Sequence, residues 1–272
     1  MAIVLNEYEW AEKMINERRL GKKPGETLAR VAKYYFENNY SKKEVRKLLD
    51  QFLIQCDPDA SLMQWSDTLD KIVKSAARYQ LIQIDGVPIF QSELDLIDTL
   101  PGRQMKRLAF AVICVAKYWN AVSASNNSWL NTDDKEIFQM ANVTIPSRQH
   151  DVMYGKLREI GLIRLSKKID NLNVQVLCLS DGSKEDDHVA MVIKDYRNLG
   201  YQYMMYYGGP YFICEHCGIT VPVKNCSQKK SLMKGGHVND VGRKPKYCSV
   251  CAAEIRIKQN VDAVMRRRHL KV

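Results

Sequence analysis

Four cysteines stand in two close pairs, Cys214-Glu215-His216-Cys217-Gly218 and Cys248-Ser249-Val250-Cys251. A C-x-x-C turn brings two thiolates to one side of the backbone, and a following glycine lets the chain reverse. Two such pairs supply the four soft ligands of a tetrahedral structural zinc site. One structural Zn²⁺ is therefore expected, held by Cys214, Cys217, Cys248 and Cys251. Four protein ligands would leave the metal no open position for catalysis. His216 lies inside the first turn and should point away. Cys226 and His237 lie in the gap without partners at ligand spacing. His237-Val238-Asn239-Asp240 invites comparison with His-Asn-His nucleases. However, no Asp-His pair follows the first turn and no second metal set is present. No nucleophilic triad, phosphate loop or carboxylate pair stands out either, and the chain reads as non-enzymatic.

The charge is concentrated beside these cysteines. The chain carries a formal +10, yet its first hundred residues hold 14 Lys/Arg against 16 Asp/Glu. Residues 211–272 hold 13 Lys/Arg against 4 Asp/Glu, a formal +9. Four thiolates and a Zn²⁺ together contribute about −2, so this segment stays near +7. A localised basic segment is the footprint of a polyanion, nucleic acid first. Arg256, Lys258, Arg266, Arg267, Arg268 and Lys271, with Lys229, Lys230, Arg243, Lys244 and Lys246, form the expected phosphate-facing surface. The competing reading is a solvated helix end whose cations complement the helix dipole. The tyrosines between Tyr196 and Phe212 could stack on bases, but they read first as core or interface. Cys56, Cys114 and Cys178 sit in apolar runs and read as packing. Free thiols point to a reducing, cytoplasmic setting. No apolar run has the ~20 residues of a membrane helix, and no secretory h-region is expected at Met1–Leu5, so no membrane partner is expected.

The elements that must carry these groups follow from periodicity and punctuation. Helices are expected over Glu7–Leu20 and Glu26–Asn39. Ser41 with Glu44, and Ser61 with Gln64, have capping-box spacing and should open two more. Leu81–Ile84 and Val87–Phe90 flank Asp85-Gly86, which predicts a hairpin. Ser92 should cap a short helix to Leu100. Met105–Val122 is long and mostly apolar and predicts a central core helix. Thr132 should cap a helix through Met140. Ser147 should cap Arg148–Ile160, with Met153, Leu157 and Ile160 as its buried face and His150 exposed. Gly161 should end that helix. Leu162–Ser166 and Val174–Leu179 then flank a polar tip. Ser180–Asp187 reads as an acidic linker and His188–Leu199 as a helix. Ala252–Arg268 has strong helix propensity.

The order over residues 103–180 is helix, extended piece, helix, turn, helix, hairpin. It resembles a winged helix-turn-helix, most closely in Lys156-Leu157-Arg158-Glu159-Ile160-Gly161-Leu162-Ile163. The resemblance implies a recognition helix that offers Arg148 and Gln149 to base edges, helped by Lys156, and a wing that offers Lys167 and Lys168 to phosphates. Knuckle, hairpin and a second cysteine pair at a helix start resemble a treble clef. Together they are similar to DNA-binding proteins of phage or mobile-element type. The expected fold class is mainly α (α+β). The expected parts are 1–100, a helical domain with a small hairpin; 101–180, the winged helix; 181–210, linker and helix; and 211–272, the zinc module. The expected partner is double-stranded DNA. The alternative is an inhibitor or adaptor that targets a host nucleic-acid-handling protein.

Overall fold

A computed structural model describes residues 3–123, 126–166, 173–183, 186–223 and 245–269, with the backbone alone for 267–269. The described residues are mainly helical and include three two-stranded sheets. It divides into two units. The first comprises Met1–Pro88, Lys117–Asn127 and Met191–Lys194. The second comprises Ile89–Ala116, Ser128–Ala190 and Asp195–Val272. Among the described residues no helix is long and apolar enough to cross a membrane.

The first unit is built on α1 (Glu7–Glu17), α2 (Pro24–Glu37), α3 (Lys42–Cys56) and α4 (Leu62–Ala76). Their apolar faces meet in a core of Leu28, Val31, Leu49, Phe52, Leu53 and Leu69. The expected capping box is formed. The Glu44 amide donates to Ser41 Oγ at 3.4 Å and the Ser41 amide to Glu44 Oε2 at 2.8 Å. Ser61 accepts from the Gln64 amide in the same way. Glu7, only 2% exposed, is matched by Arg30 at 2.8 Å and Lys33 at 3.2 Å. A buried carboxylate needs such partners, because leaving one alone would cost several kcal/mol.

The hairpin expected around Asp85-Gly86 does not form. Ile84 donates instead to Leu5 O, and Gln83 bridges to Asn6. Strand β1 (Val87–Phe90) pairs with β4 (Val189–Ile193), far down the chain. The β-branched residues of β4 also replace the helix expected over His188–Leu199. Ser92 is not a cap. It lies inside α5 (Gln91–Asp98) and bonds Asp187, while Glu93 accepts from the Phe90 amide at helix entry.

The second unit is centred on the first part of α6 (Arg103–Val122), where every residue from Leu108 to Ala116 is fully buried. The tyrosine-rich stretch supplies part of this core. Tyr196 donates to Cys114 O at 2.7 Å, and Tyr203 packs its ring on Phe110 and donates to Asp98. These two rings are buried and cannot stack on bases, whereas Tyr206 and Tyr207 are exposed. Helix α7 (Asp134–Met140) is capped by Asp133, not by Thr132. A single 3-10 turn, Ser147–Gln149, leads into α8 (His150–Glu159). Gly161 (φ 80°) closes α8, as expected. Strands β2 (Ile163–Leu165) and β3 (Val174–Val176) then pair antiparallel, Ile163 opposite Val176. The extended piece before α7 lies along β3, with Leu130 donating to Val174 O at 2.8 Å.

The buried face of α8 differs from the expected one. It consists of His150, Tyr154 and Leu157, while Ile160 is 47% exposed. The 3-10 turn starts α8 proper at His150 and sets the phase of the inward face. His150 is thus buried rather than exposed. Its ring stacks on Phe138 at 3.7 Å and its Nδ1 lies 2.7 Å from Asp134 Oδ2.

Candidate metal centre and cationic surfaces

The four-cysteine cluster is assembled from two local turns. Strands β5 (Tyr211–Ile213) and β6 (Thr220–Pro222) form an antiparallel hairpin, Phe212 opposite Val221. The first cysteine pair is the turn of this hairpin. Cys214 donates its amide to Ile219 O, and the Gly218 amide returns to Cys214 O at 2.9 Å, with Gly218 left-handed at φ 75°. The second pair opens α10 (Ser249–His269), whose first turn places Cys251 next to Cys248. The Glu215 amide donates to Lys246 O at 2.9 Å and joins the two halves.

The four Sγ atoms lie within 4.8 Å of one another, with Cys217 Sγ and Cys248 Sγ 3.9 Å apart. A tetrahedral tetrathiolate with metal–sulfur bonds of about 2.3 Å has sulfur–sulfur edges of about 3.8 Å. A disulfide would require about 2.05 Å. The cluster could therefore hold a metal ion, and among the described residues no cysteine is in a disulfide. The backbone favours anionic sulfur at Cys214, whereas burial first raises the thiols of Cys217 and Cys251. Burial pushes the Cys214 thiol up, but the amides of Cys248, Cys217 and His216 outweigh it and bring it down to about 6. The Cys248 amide, 3.3 Å from that sulfur, stands at the N-terminus of α10, where the helix dipole also favours a thiolate. Ile219 and Val221 pack against the cluster and limit water. His216 is exposed and takes no part. Cys226 and His237 lie outside the described residues.

The hairpin is fastened to the rest of the second unit by bonds the sequence did not announce. Arg197 Nη2 donates to Cys217 O at 2.5 Å while it pairs with Asp195. Asn198 Nδ2 donates to Thr220 O at 2.9 Å, and its Oδ1 accepts from Asn142 Nδ2 at 2.8 Å. Both asparagines have left-handed backbones, at φ 56° and 54°. Where Gly200 meets the end of α7, a Cβ would fall 1.9 Å from Ala141 O, so only glycine fits. The stretch that follows the expected linker is thus a strap. Helix α9 (Leu199–Tyr206) lies between the end of α7 and the cysteine hairpin. Only the left-handed tolerance of asparagine hinted at this.

The expected cationic residues fall in two sets. Arg148 and Gln149 are exposed on the 3-10 turn, and Lys156 and Arg158 are exposed on α8. Lys167 and Lys168 lie outside the described residues. In α10, Arg256, Lys258 and Arg266 are exposed. Arg267 and Arg268 lie within the same helix, while Lys229, Lys230, Arg243, Lys244 and Lys271 fall outside the described residues. Beyond Ile255 every side chain of α10 described is exposed, including Ile257, Val261, Val264 and Met265.

No protein-family model matches the chain, and neither a curated protein nor a solved structure matches it.

Proposed function

We propose that this protein is a non-enzymatic, zinc-containing DNA-binding protein, with a winged helix over α6–β3 and a treble-clef zinc module after Tyr211. The observation that carries the reading is the arrangement of α8. Its inward face is anchored by His150, Tyr154 and Leu157, so Arg148, Gln149, Lys156 and Arg158 are left on the solvent side. A short helix, a tight turn and a second helix with polar side chains at its start make a reader of the major groove, and the β2–β3 hairpin follows in the place of a wing. Zinc suits four thiolates at this spacing. The role we assign to it is structural: it joins the knuckle to the start of α10, so that the basic helix leaves from a fixed point.

A second reading is favoured by one specific observation. Ile257, Val261 and Val264 recur at i, i+4 and i+7 on the exposed part of α10. An uncovered apolar stripe suits a protein partner better than it suits phosphates. In that reading the chain is an adaptor that binds a nucleic-acid-handling protein.

One salt titration separates the two. Base contacts specify and phosphate contacts position. Arg148→Ala should therefore weaken binding to a preferred duplex by about 1–3 kcal/mol and leave random DNA nearly unchanged. Neutralising Arg266, Arg267 and Arg268 together should weaken both duplexes alike. It should also flatten the salt dependence, by up to roughly one unit of slope for each phosphate no longer neutralised. Absence of duplex binding at low salt would remove the DNA reading and leave the adaptor.

A further inference from the structure

A cleft of about 390 Å³ lies between α7, α8 and the β2–β3 hairpin. Its floor is apolar, from Leu130, Ile137 and Val174, and its rim carries Asp133, Asp134 and Asp151. Tyr154 lines it too. That side chain is only 6% exposed, and its hydroxyl is buried without a hydrogen-bond partner among the described residues. A buried hydroxyl that gave up water and found no replacement costs roughly 1–3 kcal/mol. Folded chains rarely leave such a group alone unless something else completes it. The three aspartates bear on it as well. Burial first, and then the charges of Asp134, Asp133 and Asp151, push the Tyr154 phenol far above its usual range.

These groups share one need. Three carboxylates face one cleft; His150 engages Asp134, while Asp133 and Asp151 meet no cation among the described residues. A metal ion fits poorly, because among the described residues only the four cysteines bring three or more ligating groups together. The carboxylates are spread around the rim instead. An apolar floor below such a rim suits an organic cation with a short alkyl stem. A phenol can accept a hydrogen bond from its head, and the ring face can add a cation–π contact.

We infer that this cleft is a binding site for a small alkylammonium or alkylguanidinium group, carried by a free amine or by a Lys or Arg side chain of a peptide. The group's stem lies on Ile137 and Val174, and its head meets Asp133, Asp151 and the Tyr154 hydroxyl. The site is independent of the DNA reading, although α8 contributes to both.

The test uses the full, metal-loaded chain with tyrosine labelled for NMR at the ring carbon that bears oxygen. Agmatine, n-butylamine, the neutral n-butanol and the peptide acetyl-Gly-Arg-Gly-amide are titrated in turn, up to about 10 mM, the weak limit of a specific small-ligand site. Agmatine or n-butylamine should move the Tyr154 signal saturably, and n-butanol should not. Asp151→Asn and Asp133→Asn should each weaken that binding about tenfold, the scale of one charged hydrogen bond. Asp151 is exposed, and Asp133→Asn keeps a side-chain oxygen to cap α7, so metal content should not change and the thermal midpoint should shift little. Tyr154→Phe should weaken binding several-fold, read by calorimetry. A peptide that binds as tightly as agmatine assigns the site to a protein side chain, and exclusion of the peptide assigns it to a free amine. No saturable shift with any cation overturns the proposal. So does equal binding of n-butanol, or full binding in the Asp133→Asn, Asp151→Asn double variant.

Discussion

Two helices that carry exposed basic side chains are held in opposite ways. Helix α8 is anchored along its length, through Tyr154 and Leu157 and through the His150 ring stacked on Phe138. Helix α10 is twice as long, yet among its described side chains only those of the first two turns are buried or half-buried, Cys251 and Ile255 among them. In proteins most helical stability comes from tertiary packing rather than from propensity. Among the described residues, the packing of α10 is at its N-terminus, where the cysteine cluster lies. A core holds one helix and the cysteine cluster holds the other, so the two should fail under different insults.

Metal removal is the largest expected effect. Chelation, or Cys248→Ser, should release the β5–β6 hairpin and the start of α10, a loss on the order of 10 kcal/mol of coupled folding energy. Amide hydrogen exchange should rise across residues 211–223 and 249–269 while α8 stays protected. Elemental analysis should give one zinc per chain for the parent and none for the variant. Protection of α10 that survives chelation would mean that the metal is not its anchor. Acid should act in the same direction as the chelator, because a bound thiolate must be reprotonated on release and protons compete with metal as pH falls.

A smaller effect should appear at α8. Leu157 is fully buried, and Leu157→Ala should cost about 2–5 kcal/mol of stability, read by denaturant unfolding. Its metal content should match the parent. If metal is lost together with α8, the strap through Asn142, Asn198 and Thr220 couples the two regions more tightly than their separate anchors imply.

The smallest effect concerns one carboxyl group. Burial pushes Asp134 up, but the His150 ring and the Lys135 amide outweigh burial and hold it below the usual carboxylate range. A carboxyl depressed in the folded state adds stability that is present above its unfolded value and fades as pH falls through the folded one. Asp134 is partly exposed, so the contribution is small. His150→Asn should raise the Asp134 titration midpoint, measured by carbon NMR of the carboxyl. An unmoved Asp134 would show that the ring is held by Phe138 stacking alone.

The amino-acid sequence by itself determined the features whose causes lie within a few residues. The Ser41–Glu44 box, the Gly161 helix stop and the apolar run of α6 are each local, and each is present in the fold. The two cysteine turns are local too, which is why the candidate ligand set was legible although the pairs lie far apart. Tertiary structure decided what depends on a distant partner. Asp85-Gly86 carries a hairpin signal, but β1 found β4, whose strand character emerges only on pairing. His150 looked like a surface residue until a 3-10 turn changed the phase of α8 and brought it onto Phe138 and Asp134. The acidic stretch looked like a spacer, yet two left-handed asparagines and one glycine made the segment after it a strap. Short-range rules write themselves into neighbouring residues. Long-range pairings leave no such mark, because any exposed edge or apolar face can complete another, and only the folded chain selects which one does.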